Sequence, residues 1–520
     1  MITLFKNGTI VDGTGKVAFK GDLVVKDDKI ECVSVQCLHG GTEVTTYDRV
    51  VDCTGKLVCP GFIDAHTHSD AYLILEPDAP SKLSQGITTE INGQCGGSVA
   101  PRYGEARLSS DWAALLGEKL TWRSMAEYRE TLGKVGPAVN TVQFVGHNTL
   151  RSSVVGYAGR LATEDELKRM EYLLDKSLEE GGYGLTTGLI YQPGKYSNPE
   201  EVKRLAKIAA KKGGYYATHM RSEGDRILEA IDEVLELVRE SGIRAEISHL
   251  KTSGKKNWHK IDAVLEKIET AIERGELLGS DRYPFTAAGT DLDVVFPDWA
   301  GEGAVVAECI RLKDERTRTK IIEEINASER DWSTVMIGGT WHEDNKRFCG
   351  RFISELTNNP GELICDILEK DGCKTGAFFF GMSEENLDKI LARPWIVPGS
   401  DASLRAPWGP LGADHPHPRA YATMPEFFAR VKALGISKEE AISRMSKVPA
   451  ERFALKGRGA LKAGNFADIV VIDEENFKRR STFTEPHQFS SGVELVMVNG
   501  VISYENGKFT GKRAGRFLTR

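Results

Sequence analysis

Pro60-Gly61-Phe62-Ile63-Asp64-Ala65-His66-Thr67-His68 is the stretch on which the reading of this chain turns. It reads as a strand ending in an HxH pair. Side chains along a strand alternate with period 2, so His66 and His68 share one face. If the strand belongs to a closed parallel barrel, that face is the interior. Two neutral imidazoles at the C-terminal mouth of such a barrel are standard metal ligands. An HxH pair alone is a weak signal, so the other strand ends have to supply the argument.

Working outward, the middle of the chain alternates strand and helix. Candidate strands are Gly61–His68, Ile87–Cys95, Thr141–Asn148, Tyr183–Leu189, Tyr215–Met220, Ala245–Leu250, Leu277–Pro284 and Trp395–Asp401. Helical patterns lie between them at Glu164–Glu180, Pro199–Lys212, Asp225–Ser241 and Lys260–Arg274. In the third, Ile227, Ile231, Val234, Leu235 and Val238 recur at helical spacing. Eight β-α units in this order predict an α/β fold, a metal-dependent (β/α)8 TIM barrel. A doubly wound sheet is the alternative, but no Gly-rich dinucleotide turn follows the first strand. Cys95 ends the second strand, His219 the fifth, His249 the sixth and Asp401 the eighth. With His66 and His68 these six fall where barrel active sites form, and chance placement at five strand ends is improbable. Gly93, Gly96 and Gly97 around Cys95 let the backbone turn tightly and bring the thiolate to the mouth.

Both ends of the chain read as strands. Ile2–Val11 and Asp22–Val35 carry turn signals at Asn7-Gly8, Asp12-Gly13 and Asp27-Asp28. Ala467–Asp473 is a buried strand, and Val493–Val498 with Val501–Tyr504 form a hairpin across Asn499-Gly500. A small β-sandwich domain built from both termini, residues 1–56 plus 455–520, is therefore expected beside a barrel at 57–454. The 110 residues from Phe285 to Pro394 far exceed an ordinary crossover. Residues 286–393 are expected to fold over the mouth as a lid-like insertion.

The totals exclude several classes. Lys+Arg 68 against Asp+Glu 75 gives a net charge of −7 with no basic block, so nucleic acid is not an expected partner. No apolar run reaches about 18 residues, so no membrane span is expected. The N-terminus lacks a basic segment followed by an apolar one, which argues against a signal peptide. Nine scattered cysteines fit a cytoplasmic chain with mostly reduced thiols. The basic C-terminal stretch with Lys512, Arg513, Arg516 and Arg520 reads as a solvated tail.

These motifs together resemble the amidohydrolase superfamily, through Pro60–His68, the single histidines of strands five and six, Asp401, and Gly457-Arg-Gly-Ala-Leu-Lys-Ala-Gly464 leading into Ala467-Asp-Ile-Val-Val-Ile-Asp473. Asn92-Gly-Gln-Cys95-Gly, Gly188-Leu-Ile-Tyr-Gln-Pro-Gly194, Thr218-His-Met-Arg-Ser-Glu-Gly224, Tyr283-Pro-Phe-Thr and His417-Pro-Arg-Ala-Tyr421 are similar to those of the D-aminoacylases, or N-acyl-D-amino-acid deacylases. The resemblance covers nearly the whole chain and is weakest in the insertion. It implies a Zn2+ enzyme with one tight metal on Cys95, His219 and His249, and a second, weaker position on His66 and His68. The superfamily's metal-bridging lysine is missing from strand four, which reads Gly184-Leu-Thr-Thr-Gly188.

The chemistry expected from this is amide hydrolysis by a zinc-activated water. Asp401 would accept the water's proton and pass it to the leaving amine. The resemblance implies an N-acyl-D-amino acid as the small-molecule partner, its α-carboxylate held by Lys251, Tyr283 and Arg419, with Tyr191 lining the acyl pocket. The D preference rests wholly on the resemblance. His415 and His417, flanked by Pro416 and Pro418, are read as a rigid loop and not as ligands. A cyclic amide hydrolase of the hydantoinase or dihydroorotase kind is the alternative, lowered by the missing lysine. A metal-free scaffold would be free to lose ligands, and this chain keeps all six.

Overall fold

The computed structural model describes residues 1–34, 46–108 and 115–520. Val35 and Cys37 fall outside them. Five strands come first: β1 (Ile2–Ile10), β2 (Phe19–Lys26), β3 (Lys29–Ser34), β4 (Arg49–Asp52) and β5 (Leu57–Pro60). A parallel set follows: β6 (Phe62–Asp64), β7 (Ile87–Asn92), β8 (Asn140–Gln143), β9 (Val145–Gly146), β10 (Gly184–Gly188), β11 (Tyr215–His219), β12 (Arg244–Ile247) and β13 (Leu278–Arg282). The insertion holds β14 (Ala288–Asp291), β15 (Val335–Ile337) and β16 (Gly376–Phe379). After it β17 (Ile396–Pro398) resumes the parallel set, and β18 (Ile469–Ile472), β19 (Val493–Val498), β20 (Val501–Glu505) and β21 (Lys508–Phe509) close the chain.

The parallel strands form a three-stranded sheet, β6-β7-β8, and a six-stranded sheet, β17-β13-β12-β11-β10-β9. Hydrogen bonds join them on both sides. β8 and β9 are two parts of one run interrupted at Phe144, whose N–H donates to the Asn92 carbonyl at 3.0 Å. At the opposite edge Ala65 N–H donates to Pro398 O at 3.2 Å and Asp401 N–H to His66 O at 2.8 Å. Strands buried on both faces read as continuous runs rather than alternating ones; every residue of β10 and β11 is buried. The helices between them start where caps stand. Thr163 and Glu166 form a capping box ahead of Glu164–Glu179, and Asn198 caps Pro199–Lys211, whose proline sits in the first turn.

Strands from both ends of the chain share one nine-stranded sheet, β21-β20-β19-β18-β5-β1-β2-β3, with β4 also paired to β1. Phe5, Leu23 and Val58 pack there in one apolar cluster with Ile469, Leu495 and Met497. Among the described residues the hydrogen bonding is continuous through all nine strands, with β1 paired to β2, β4 and β5. Asn7-Gly8 is not a turn but a register shift inside β1, with Asn7 at φ 62°. Asn499-Gly500 is the expected tight turn, with φ of 47° and 81°.

The basic C-terminal stretch is not a solvated tail. Leu518 N–H donates to Thr141 O at 2.8 Å and Thr141 N–H to Arg516 O at 2.9 Å, so the chain end runs beside β8. Phe517 packs against the main core there, and Arg520 reaches the carbonyls of Lys212 and Leu178. Backbone pairing and one aromatic anchor outweigh the charge pattern that suggested solvent.

The insertion has its own core, with Leu292, Ile321, Ile325, Ile353, Ile364 and Leu368 buried together. Its last helix, Glu384–Leu391, instead packs Leu387, Ile390 and Leu391 into the main core. Among the described residues no helix is long and apolar enough to cross a membrane.

Candidate metal centre

All six residues singled out at the strand ends converge. Cys95 Sγ lies 3.3 Å from His66 Nε2, 3.3 Å from His249 Nε2 and 3.8 Å from His219 Nδ1. Asp401 Oδ1 lies 3.0 Å from His68 Nε2 and 3.4 Å from His66 Nε2. With metal–ligand bonds of about 2.3 Å for zinc–sulfur and about 2.0 Å for zinc–nitrogen, a tetrahedral S···N edge is roughly 3.5 Å. The three sulfur–nitrogen separations bracket that value, and a thiolate with imidazoles is a zinc-type donor set. The residues present therefore fit a zinc ion.

The backbone is bent to make this possible. Cys95, His249 and Asp401 adopt φ of 51°, 38° and 48°, a region that non-glycine residues seldom enter. The strands themselves stop short of these residues, at Asn92, Ile247 and Pro398. Each side chain is thus presented from the first turn after its strand. Close approach needs glycine at two neighbours: a Cβ on Gly188 would stand 2.1 Å from the Cys95 carbonyl, and one on Gly146 2.2 Å from the Gly96 carbonyl.

Electrostatics keep the site ionised from within. Burial opposes ionisation of the Cys95 thiol, yet the charges of His66 and His249 and hydrogen bonds from His219 and His249 hold it well below the ordinary thiol value. Burial also works against Asp401, and the Arg419 charge, His249 and the hydrogen bonds of His66 and His68 hold it well below the carboxylate range. Burial disfavours the charged ring of His68, but hydrogen bonds with Asp401 and Cys95 raise it to about 9. His249 also reaches about 9: burial and Lys251 oppose its proton, while Glu223, Asp401 and Cys95 hold it. Metal entering such a site displaces protons from its ligands.

Several contributors escaped the sequence reading. Asp281 Oδ2 lies 3.2 Å from His66 Nδ1, and its Oδ1 accepts the His249 backbone N–H at 3.0 Å. Glu223 stands behind His219 and His249. Lys82 is fully buried beneath Thr67, ion-paired to Asp64 at 2.9 Å and Glu90 at 3.1 Å. Glu223 lies four residues after His219 and Asp64 two before His66, offsets that could have pointed to both. Lys82 and Asp281 carry no such local signal.

A cavity of about 530 Å³ opens over Cys95, His68 and Asp401. One wall comes from the insertion, at Gly289–Asp291, Gly339–Trp341 and Gly376–Phe378. Tyr191 and Arg419 line the cavity, with the Tyr191 ring 4.9 Å from that of His219. Lys251 and Tyr283 are buried and do not line the cavity. Arg419 donates to Asp401 at 2.7 Å and stacks over the Tyr283 ring at 4.6 Å. The Tyr283 hydroxyl and Arg419 Nε are buried without hydrogen-bond partners. The Nε2 atoms of His415 and His417 face the carbonyls of Phe483 and Ala287 at 2.6 and 3.0 Å. His147 Nε2 pairs with Glu201 Oε1 at 2.7 Å, and its Nδ1 is buried without a hydrogen-bond partner.

The model of the amidohydrolase family matches residues 49–317 and 382–504. The chain belongs to the amidohydrolase family. The unmatched segment between those ranges lies inside the insertion, where the separate core is found. A D-aminoacylase of Alcaligenes xylosoxydans xylosoxydans is 32% identical over 526 residues, 99% of this chain and 97% of that one. A solved D-aminoacylase structure, described by a binuclear metal centre with one-metal activation and second-metal attenuation, superposes with TM-score 0.83 at 31% identity, covering 100% of this chain and 99% of that one. An N-acyl-D-glutamate deacylase of Bordetella bronchiseptica, solved with zinc and a phosphonate mimic of the tetrahedral intermediate, gives TM-score 0.82 at 29% identity, with 100% and 99% covered. This amidohydrolase is thus a hydrolase similar along its whole length to the D-aminoacylases and N-acyl-D-amino-acid deacylases.

Proposed function

We propose that the protein hydrolyses the amide bond of N-acyl-D-amino acids, giving a carboxylate and a free D-amino acid. The observation that carries the reading is the convergence of Cys95, His66, His68, His219, His249 and Asp401, of which Cys95, His68 and Asp401 line a cavity walled in part by the insertion. The parallel strands are read as one closed (β/α)8 barrel at 57–454, with residues 1–56 and 455–520 as the terminal β domain and 286–393 as the lid-like insertion. Cys95, His219 and His249 would hold one tight Zn2+, and His66 with His68 a second, weaker one. Bound there, zinc supplies a Lewis acid that polarises the amide carbonyl and acidifies water.

Asp401 is the general base and then the general acid. Its Oδ1 faces His68 and His66, and its Oδ2 faces Arg419. One oxygen is thus turned to the floor and can take the proton of the attacking water and return it to the departing amine nitrogen, which leaves poorly unprotonated. Arg419, Tyr283 and Lys251 form the grip for the substrate α-carboxylate. In support, Arg419 Nε and the Tyr283 hydroxyl are donors without partners, and the Lys251 ammonium lies 5.9 Å from the same Tyr283 ring. Guanidinium suits this task because its fork matches a carboxylate. Tyr191 is placed to bound the acyl pocket. Cyclic amide hydrolysis is disfavoured because β10 carries no lysine to bridge two metals.

Amine release from matched N-acetyl-D- and N-acetyl-L-amino acids by zinc-loaded protein tests this. Release from the D set alone is the expected result. Equal release from the L set, or silence on both with turnover of a cyclic amide, would overturn it.

A further inference from the structure

Cys309 and Cys373 stand 64 residues apart in the chain, and their sulfurs meet at 3.7 Å inside the insertion. Cys309 sits in the helix Ala304–Lys313 and is partly exposed. Cys373 comes two residues after the helix Pro360–Asp371 and is 2% exposed. Both pack into the insertion's own apolar core. The backbone is bent at this point. Gly372 and Cys373 take φ of 61° and 58° in succession. Glycine enters that region freely, and a cysteine seldom does. The Cys373 N–H closes the turn by donating to the Leu368 carbonyl at 2.7 Å.

The pair is not the edge of a metal site. Among the described residues no third ligand atom of a His, Cys, Asp or Glu completes a cluster with the two sulfurs. Burial, then the neighbouring Cys309 and the carboxyls of Glu308 and Asp293, push the Cys373 thiol up. A lasting thiolate is disfavoured in such a place, whereas a disulfide carries no charge. A disulfide bond is about 2.05 Å long, so the sulfurs have roughly 1.7 Å to close. Small rotations about the two Cα–Cβ bonds span that distance. We propose that Cys309 and Cys373 form a dithiol site that low-molecular-weight disulfides oxidise to an intramolecular disulfide. This does not depend on the metal-site reading above.

Cys309 reacts first, because it is the thiol that solvent reaches. Having lost its proton, it attacks one sulfur of the small disulfide; a mixed disulfide forms and one small thiolate leaves. Cys373 then gives up its proton and attacks the Cys309 sulfur, and the second small thiolate leaves. Two protein thiols are thus oxidised by two electrons, and one small disulfide is reduced to two small thiols that take up the two protons. The new bond ties the helix Ala304–Lys313 to the approach to β16. Lys374 and Thr375 lead from Cys373 into that strand, and Lys374, Gly376, Ala377 and Phe378 line the cavity over Asp401. β16 is also the central strand between β14 and β15. Closing a loop of this length removes freedom from the opened insertion, so the oxidised wall opens less often.

Non-reducing peptide mapping of zinc-loaded protein incubated with glutathione disulfide tests this. Wild type should yield a peptide pair linked through Cys309 and Cys373. In Cys373→Ser the reaction should stop at its first stage, with one glutathionyl group retained on Cys309. In Cys309→Ser the buried Cys373 should stay a free thiol. Hydrogen exchange across residues 292–377 should slow by about tenfold or more in oxidised wild type and should not respond in either variant. Wild-type protein in which Cys309 stops at the mixed disulfide, links to another cysteine, or stays free with Cys373 overturns the proposal, and that map does not depend on the variants folding. A linked pair with unchanged exchange overturns its hold on the cavity wall.

Discussion

Replacing Lys82 by methionine removes one charge from beneath the site and changes little in volume. Lys82, Asp64 and Glu90 are all fully buried, with ammonium–carboxylate distances of 2.9 and 3.1 Å. Burial opposes the ammonium, but the two carboxylates hold its pKa above the ordinary lysine value, so Lys82 is charged at neutral pH. Lys82 also donates to Thr67 Oγ1, Ser400 Oγ and the Ala402 carbonyl, each at 3.2 Å. Those acceptors have other partners: Thr67 meets Ser69 and Ala402, and Ser400 donates to Asp64. The neutral hydrogen bonds are therefore a minor loss. The dominant cost is two carboxylates left without a cation, and removing one partner of a buried pair typically costs about 3–5 kcal/mol. Lys82→Met should lose about 4 kcal/mol in guanidinium unfolding at pH 7. Neutralising the orphans as well, in Lys82→Met/Asp64→Asn/Glu90→Gln, should recover at least about 2 kcal/mol of that. The network ties Thr67, between His66 and His68, to Ser400 and Ala402 on either side of Asp401. Turnover should fall together with stability. A loss below about 1 kcal/mol in Lys82→Met, or no recovery in the triple variant, would refute the argument that charge pairing and not packing dominates here.

Cys95→Ala should lose the tight zinc, read by elemental analysis after dialysis, and nearly all turnover; retention of both would remove Cys95 from the site. Asp401→Ala should keep its metal while turnover falls by about 10²–10⁴, the range for a general acid–base group, and unchanged turnover would reassign the proton transfer. In the insertion, burial and then the Glu308 charge raise Asp293 to about 8, while burial and Asp291 raise Glu308 to about 7. Both folded-state pKa values lie above the unfolded ones, so the folded protein holds more protons and stability falls as pH rises from about 4 to about 8. Hydrogen exchange across residues 292–377 should quicken over that window and flatten in Glu308→Gln; equal slopes in both proteins would discard the pair as its origin.

Much of the site was legible because metal and acid–base chemistry needs particular residue types at strand ends. His66, His68, Cys95, His219, His249 and Asp401 each follow a run of buried β character, and the spacing between runs matches helices. The residues that hold those side chains in place were harder to see. Lys82 looks like an ordinary helix lysine until Asp64, Glu90 and Ser400 close around it. Asp281 precedes an arginine in β13 and gives no hint that both its oxygens serve His66 and His249. Arg419 was expected at the substrate carboxylate, and in the folded chain it also neutralises Asp401. The C-terminal stretch misled because its charges are local while its partners, Thr141 and Lys212, are hundreds of residues away.

The sequence by itself determined the alternation of strand and helix, the strand pairing of both termini, the long insertion and the residue types available for a metal. These follow from local rules: side-chain periodicity, caps, turn residues and the chemistry of imidazole and thiol. Only the tertiary structure decided which nitrogen of each histidine faces Cys95, which carboxylates stand behind them, and that the insertion walls the cavity over Asp401. Those depend on left-handed turns at Cys95, His249 and Asp401 and on backbone approaches that only Gly146 and Gly188 permit. Such geometry is set by the simultaneous packing of many distant segments, and no window of sequence contains it.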